Sequence, residues 1–139
     1  MRIAFVSEKY PTGNQPGGET FVQQFVWAMA RLGHECVVIH PTSVLGRRAG
    51  PLPDRVATEA VDGGRTVVVH RPRFLSCSSK DLGWTHTGRW TQWGMNRAVL
   101  RAIRRLPAKP DLVYGHFLYH AGQAAVAAGG EAGQGGVVV

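Results

Sequence analysis

Residues 2–41 have the sequence RIAFVSEKYPTGNQPGGETFVQQFVWAMARLGHECVVIHP, and this stretch decides the fold. It opens with a short run rich in Ile, Val and Phe, which is typical of a buried strand at residues 2–7. Helical spacing follows over residues 21–32 and places six apolar residues along one side, namely Phe21, Val22, Phe25, Val26, Met29 and Leu32. Gly33 suits the left-handed cap that ends a helix. A second apolar run follows at residues 35–40. The order strand, helix, strand with short links predicts a βαβ unit with two parallel strands.

The rest of the chain continues this alternation of strands and helices. Asp62-Gly63-Gly64 predicts a hairpin whose second strand lies at residues 66–70. Helical spacing returns at residues 91–106, with Met95, Val99, Ile103 and Leu106 on one face. Further predictions are a strand at 111–115, an alanine-rich helix at 121–132, a strand from residue 137, and loops at 43–57 and 73–90. We therefore expect one α/β domain over residues 1–139, with a Rossmann-like, mostly parallel sheet and helices on both faces.

Positive charge is concentrated in the middle of the chain. The net charge is +7, and residues 44–110 hold thirteen basic and four acidic side chains. This pattern indicates either a solvated surface or a surface that meets phosphates, on anionic lipid or on a phosphorylated substrate. No RNP, KH or zinc-finger pattern supports a nucleic-acid partner. Trp84, Trp90 and Trp93 lie in the same region, where they either pack on the core or contact a lipid-linked acceptor or a membrane.

Composition and spacing also bear on compartment and cofactor. Two cysteines do not make a disulfide framework, and Cys36 lies in an apolar run, which fits a reducing cytoplasm. No signal-peptide pattern opens the chain, and no run approaches the ~18 apolar residues of a membrane span. No His/Cys/Asp cluster has metal-ligand spacing, and no set of residues argues for covalent catalysis. We expect a cytoplasmic protein, either soluble or bound at the inner face of the membrane, without a metal.

Gly17 and Gly18 stand between the first strand and the first helix. Glycine lets the backbone approach a ligand closely, and the N–H groups and dipole of the following helix favour an anion. The spacing matches neither G-x-G-x-x-G nor G-x-x-x-x-G-K-[ST], which disfavours a dinucleotide site and a P-loop. On the residues alone, a flexible turn and an anion site are equally supported. Glu19 is favoured at the helix start by the dipole, with contact to an acceptor hydroxyl as the alternative.

Four stretches in order carry a resemblance to a known family. They are MRIAFVSEKYP, PGGETFVQQFVWAMARLGHECVVIHP, VDGGRTVVVHRPRFL and KPDLVYGHFLYHAGQAAVAA. They are similar to the opening strand, the glycine loop with first helix and second strand, the middle hairpin and the fourth-strand segment of GT-B glycosyltransferases of family 4. The chain resembles the amino-terminal half of such an enzyme, and leans toward enzymes of bacterial surface-polysaccharide synthesis.

This resemblance implies retaining transfer of a sugar from a nucleotide sugar to a glycan or lipid-linked acceptor. The site would lie in a cleft between two Rossmann-like domains, without a cofactor beyond the donor substrate. Gly17 and Gly18 match the loop that reaches toward the donor phosphates. His116 matches the histidine that ends the fourth strand near the transferred sugar, and is the candidate catalytic residue. Glu19 and His120 are further candidate substrate contacts.

The resemblance also has a gap, because the paired glutamates that bind the donor in the family's carboxyl-terminal domain have no counterpart here. We expect a truncated, acceptor-side domain that is inactive alone and needs a carboxyl-terminal donor domain or a partner chain. The rival hypothesis is a non-catalytic half-enzyme or glycan-binding module that acts with a partner chain. His40 and His70 also stand at the ends of predicted strands, where they are either structural residues or line the same sheet edge as His116. His34 belongs to the turn between the first helix and the second strand and is expected to be structural.

Overall fold

The computed structural model describes residues 1–12, 20–45, 51–76, 87–116, 121–131 and 136–138. The elements within these ranges are β1 (Arg2–Val6), α1 (Thr20–Arg31), β2 (Glu35–Ile39), β3 (Thr42–Ser43), β4 (Val56–Val61), β5 (Arg65–His70), β6 (Arg73–Phe74), α2 (Thr87–Arg104), β7 (Leu112–Gly115), α3 (Gln123–Glu131) and β8 (Gly136–Val138). The main sheet has the strand order β4-β5-β2-β1-β7-β8. All of its neighbouring strands are parallel except β4 and β5. The predicted mostly parallel α/β fold is confirmed.

The strand order reverses at the centre of the sheet. β1 pairs with β2 on one side and with β7 on the other, and both pairs are parallel. The chain first builds outward from β1 through α1 to β2, and it reaches β7 only after the hairpin and α2. At such a switch point, the connections that follow the two neighbouring strands run in opposite directions. This leaves a crevice for ligands at the carboxyl ends of the strands. The carboxyl edge beside β1 and β7 is therefore the place to look for a site.

The helices cover both faces of the sheet, as predicted. α1 packs on one face through Val22, Val26 and Ala30, whereas α2 and α3 pack on the other. The predicted apolar side of α1 is wrong in part, because Leu32 is 74% exposed and Phe21 and Phe25 are also exposed. The apolar residues of α1 span a wider arc than the sheet can cover. Of this set, the two phenylalanines contact aromatic rings at the carboxyl edge instead.

Gly33 ends α1 as the sequence predicts. Its φ is +99°, in the left-handed region that glycine adopts without steric cost. The amide of Gly33 donates to the Ala30 carbonyl at 3.0 Å, and the amide of His34 donates to the Met29 carbonyl at 3.2 Å. These two bonds form a Schellman motif, which satisfies the last carbonyls of the helix.

The second half of the chain follows the predictions with two differences. The hairpin of β4 and β5 turns through Gly63 and Gly64 at positive φ, and α2 buries Met95, Val99 and Ile103. α2 begins four residues earlier than its apolar spacing indicates, because its first turn is largely exposed and carries no apolar period. The short parallel pair of β3 and β6 falls in predicted loops, since two-residue strands leave no periodic signal.

Candidate functional site

Three polar residues of the described part of the chain are buried, and each one directly follows a strand of the main sheet. Ser7 follows β1, His40 follows β2 and Arg71 follows β5; their exposed fractions are 0%, 9% and 6%. Burying polar groups away from water is unfavourable unless they are hydrogen-bonded. Their concentration at the carboxyl ends of adjacent parallel strands marks this edge as a candidate ligand site.

The three side chains lie side by side because the strands are in register. Phe5 pairs with Val38, and Val38 pairs with Val69. The three polar residues come two positions later in each strand and therefore lie on the same face of the sheet, the face that α1 covers. The amide of Ser7 donates to the Ile39 carbonyl at 3.1 Å, so the ladder continues past the formal strand ends.

His40 is held as a neutral imidazole with a defined tautomer. Its Nδ1 lies 3.0 Å from the carbonyl oxygen of Ser7, and because a carbonyl only accepts, Nδ1 carries the proton. Burial lowers the pKa of His40; the bond to Ser7 opposes this, and the Arg71 guanidinium lowers the pKa further. Near neutral pH, Nε2 is therefore an acceptor.

Arg71 places a buried cation beside His40. Its Nη1 donates to the Asp54 carbonyl at 3.2 Å, and its amide donates to the Arg55 carbonyl at 2.7 Å. The buried Nε has no hydrogen-bond partner among the described residues. A buried guanidinium with an open N–H favours an anionic or hydroxyl-bearing ligand, since charge-assisted hydrogen bonds are the strong ones.

His116 extends this set across β1 to β7. Its amide donates to the Val6 carbonyl at 2.8 Å, which places it next to Ser7 at the switch point. The half-buried ring lies 5.0 Å from the ring of Phe21 and 6.2 Å from that of Tyr114, measured between centroids. Ser7, His40, Arg71 and His116 are called the polar row below.

The connection from β1 to α1 is anchored against the polar row at both of its described ends. Tyr10, shortly after β1, lies 6.5 Å from the ring of His40, and Phe21, in the first turn of α1, contacts His116. Residues 13–19 join these two points. The described residues on either side of this segment therefore contact two different members of the polar row.

Residues 16–139 match the family model described as Glycosyltransferase Family 4. The chain belongs to glycosyltransferase family 4. The matched range begins directly before the two glycines and includes β7 with His116 at its end. No curated protein matches the chain.

The five site residues predicted from sequence fall into two groups in this family 4 domain. His116 lies in the polar row, at the carboxyl end of β7 where it was expected. Gly17, Gly18, Glu19 and His120 lie outside the described residues, so their roles stay predictions.

Two members of the polar row are absent from the sequence predictions. Ser7 and Arg71 each come directly after an apolar run, and that position in a parallel sheet is the signal that points to them. His40 belongs to the edge site. His70 does not lie in the row, because it directly precedes Arg71 at the end of β5 and its side chain therefore lies on the opposite face of the sheet, the face that α2 covers.

Glu59 on β4 fixes one end of the candidate site. Its Oε2 accepts three hydrogen bonds: from the Tyr10 hydroxyl at 2.8 Å, and from Gln23 Nε2 and Trp27 Nε1 at 3.1 Å each. Burial, together with the Glu59 carboxylate, raises the pKa of Tyr10 and keeps its hydroxyl a donor. The carboxylate thus ties α1 and the segment after β1 to β4, and it holds Tyr10 beside His40.

The neutral His40 predicts a pH-dependent stability. A folded-state pKa below the value of about 6.5 for an unfolded histidine means that the unfolded chain binds the proton more readily. Stability is then full above about pH 6.5 and falls at lower pH, by up to about 1.4 kcal/mol per pH unit for one group. We expect His40→Asn, whose amide can still donate to the Ser7 carbonyl, to flatten this slope in urea unfolding between pH 7 and 5.

His70 is the comparison for that measurement. Burial also lowers its pKa, so it contributes in the same direction, but it is half-buried. We expect His70→Asn to flatten the slope less than His40→Asn does. An unchanged slope in His40→Asn would contradict the neutral, buried imidazole.

No group of three or more His, Cys, Asp or Glu side chains in the described ranges is placed to hold a metal ion. No helix in the same ranges has both the length and the apolar character to cross a membrane.

Proposed function

We propose that this family 4 domain is the acceptor-side half of a retaining glycosyltransferase. The enzyme transfers a sugar from a nucleotide sugar to a glycan or a lipid-linked acceptor. The observation that carries the proposal is the polar row at the carboxyl edge, beside the switch point of the sheet. It supplies a hydrogen-bond acceptor, a buried cation and a partly exposed imidazole in adjacent strands, which suits a ligand rich in hydroxyls and phosphate.

In the proposed reaction the bond between the sugar and the departing phosphate breaks and a bond to the acceptor oxygen forms, while the acceptor hydroxyl gives its proton to an oxygen of the departing phosphate. Positive charge develops on the sugar and negative charge on the phosphate. We propose that Gly17 and Gly18, together with the N-terminus of α1, bind this phosphate, as a helix N-terminus favours an anion. His116 contacts the transferred sugar at the switch point.

His40 and Arg71 serve the acceptor in this proposal. Neutral His40 accepts a hydrogen bond from an acceptor hydroxyl at Nε2, because its Nδ1 is engaged by the Ser7 carbonyl. The open Nε–H of Arg71 donates to a neighbouring oxygen of the same ligand. Glu19 and His120 are further proposed substrate contacts.

The donor nucleotide requires a second Rossmann-like domain, which we propose is a carboxyl-terminal domain or a partner chain. The 139-residue chain is then inactive alone. The enzyme works without a divalent metal on the cytoplasmic side of the membrane, in the synthesis of a bacterial surface polysaccharide.

The test compares the protein purified from its own source with the 139-residue chain. The intact mass of the native protein, against 15.1 kDa for this chain, shows whether a second domain is covalently attached. Native protein and chain are then assayed with labelled nucleotide sugars and with glycan and lipid-linked acceptors. We expect transfer with retained anomeric configuration from the native protein, together with any partner chain, and none from the chain alone.

Three results would overturn parts of this proposal. A product with inverted configuration at the anomeric carbon would contradict the retaining mechanism. Micromolar binding of a nucleotide sugar by the 139-residue chain would place the donor site in this domain. Glycan binding by the native protein without any transfer would favour the non-catalytic module.

A further inference from the structure

A cavity of about 260 Å³ lies between α2 and the edge of the sheet that β4 and β5 form. Its described lining comes from the start of β4, the end of β5, the link to β6 and one side of α2. No aspartate or glutamate is among the described residues that line it. Five of these residues are arginines, namely Arg55, Arg71, Arg73, Arg101 and Arg105. This space is called the arginine cavity below.

The sequence of α2 and the residue after it shape one wall of the arginine cavity. Residues 98, 101, 102 and 105 line it, and this spacing places them along one side of a helix. Ala98 and Arg101 are repeated one turn later by Ala102 and Arg105. The two alanines have short side chains that leave room for a ligand. The two exposed arginines supply hydrogen-bond donors beside that room.

The sheet supplies a buried cation and a neutral ring to the same cavity. Arg71 is 6% exposed, and its Nη1 donates to the Asp54 carbonyl, which is an uncharged acceptor. This bond does not neutralise the guanidinium, and a buried charge acts strongly on its surroundings. Burial lowers the pKa of half-buried His70, so its ring is neutral near pH 7 and offers one N–H.

Charge and size together define a class of ligand for the arginine cavity. Arginine binds phosphate oxygens through charge-assisted hydrogen bonds that are often bidentate. One phosphate group carries about two negative charges near pH 7, so two or three linked phosphates are needed to balance five guanidinium groups. The volume is below the range of about 300–1,000 Å³ that is usual for drug-sized ligands, which favours a small ligand over a segment of a macromolecule.

We propose that the arginine cavity binds a small soluble ligand that carries a diphosphate or triphosphate group. Arg55 and Arg73 bind its phosphates from the edge of the sheet, and Arg101 and Arg105 bind them from the side of α2. The bound ligand thereby joins α2 to the hairpin of β4 and β5. The proposal holds whether or not the domain is part of a transferase, because this cavity lies beside α2, whereas the polar row faces α1.

The test is a calorimetric titration of the 139-residue chain with sodium tripolyphosphate, in about 0.15 M salt without divalent cations. We expect one binding site. Inorganic phosphate should bind at least about tenfold more weakly, because it makes fewer charge-assisted hydrogen bonds. The double variant Arg73→Gln with Arg101→Gln should weaken the binding of tripolyphosphate about 25-fold, since one hydrogen bond contributes about fivefold to an equilibrium constant.

A charge-matched control separates the arginine cavity from net charge. Arg31→Gln with Arg65→Gln removes the same charge from exposed positions on the α1 side of the sheet. We expect this control to bind tripolyphosphate nearly as tightly as the parent. Circular dichroism checks that the variants fold. Because Arg73 is half-buried, Arg101→Gln alone repeats the test at an exposed position, with an expected loss of about fivefold.

Several results would overturn the proposal. No binding of tripolyphosphate by the parent chain would remove the site. Equal losses in the control and in the cavity variant would mean that net charge alone holds the ligand. Equal affinity for inorganic phosphate and tripolyphosphate would contradict the ligand class. Sedimentation with phosphatidylglycerol vesicles that the cavity variant abolishes, without binding of tripolyphosphate, would identify a lipid phosphate as the ligand instead.

Discussion

Gly115→Ala is expected to lower the free energy of unfolding by about 2–3 kcal/mol. A Cβ added at Gly115 would lie 2.8 Å from the Cβ of Ala125 and 2.9 Å from the Cα of Gly122. One of these contacts is backbone and the other is a short helical side chain, so neither can move aside without shifting α3 against β7. Urea unfolding followed by circular dichroism measures the loss.

Gly130→Ala is the matched control for that experiment. Gly130 lies in α3, the helix that contains Ala125, but nothing lies within 4 Å of a Cβ added there. Alanine favours the helix over glycine by about 0.5–1 kcal/mol, so this variant should be more stable than the parent. If both variants gain stability, the close approach of α3 to the end of β7 is contradicted.

Under the proposed function, His116→Phe is expected to reduce the rate of sugar transfer by the native protein about 100-fold, the effect of removing one polar contact to a transition state. Phenylalanine keeps an aromatic ring against Phe21 and Tyr114 but has no ring nitrogen for the sugar. The initial rate of sugar transfer at saturating donor measures the effect. Because the substitution is close in volume, unfolding should change by less than about 1.5 kcal/mol.

His34→Phe is the control for that prediction. His34 lies in the turn after α1, at the opposite end of the sheet from the polar row. The hydrogen bond from its backbone amide to the Met29 carbonyl does not depend on its side chain. We expect its turnover to stay near that of the parent. If His116→Phe keeps full turnover, His116 holds the cleft in shape at most and is not a catalytic residue.

The candidate site was only partly predictable from the sequence. His116 and the glycine segment can be found from the sequence, because each follows an apolar run that predicts a strand. Ser7 and Arg71 have no motif of their own. They become a site because the strand order brings the ends of β1 and β5 to either side of β2, where His40 lies.

The surface on the outward side of α2 was also only partly predictable from the sequence. The excess of arginine in the middle of the chain is visible in the sequence, but a solvated surface and a phosphate-binding surface have the same composition. The helix begins at Thr87, which puts Trp90 into the same helix as Arg97 and onto the same exposed side. That shared face joins the positive charge and the tryptophans in one exposed surface.

The features that the sequence alone predicts correctly are those that depend on local interactions. The strand at residues 2–7, the end of α1 at Gly33 and the hairpin at Gly63-Gly64 depend on apolar runs, capping and turn chemistry within a few residues. The pairing of β3 with β6 and the polar row join residues about thirty or more positions apart, and the position of the buried stripe on α1 depends on how the helix packs on the sheet. Those features exist only once the sheet has formed, because hydrogen-bond register and burial, rather than sequence spacing, bring the residues together.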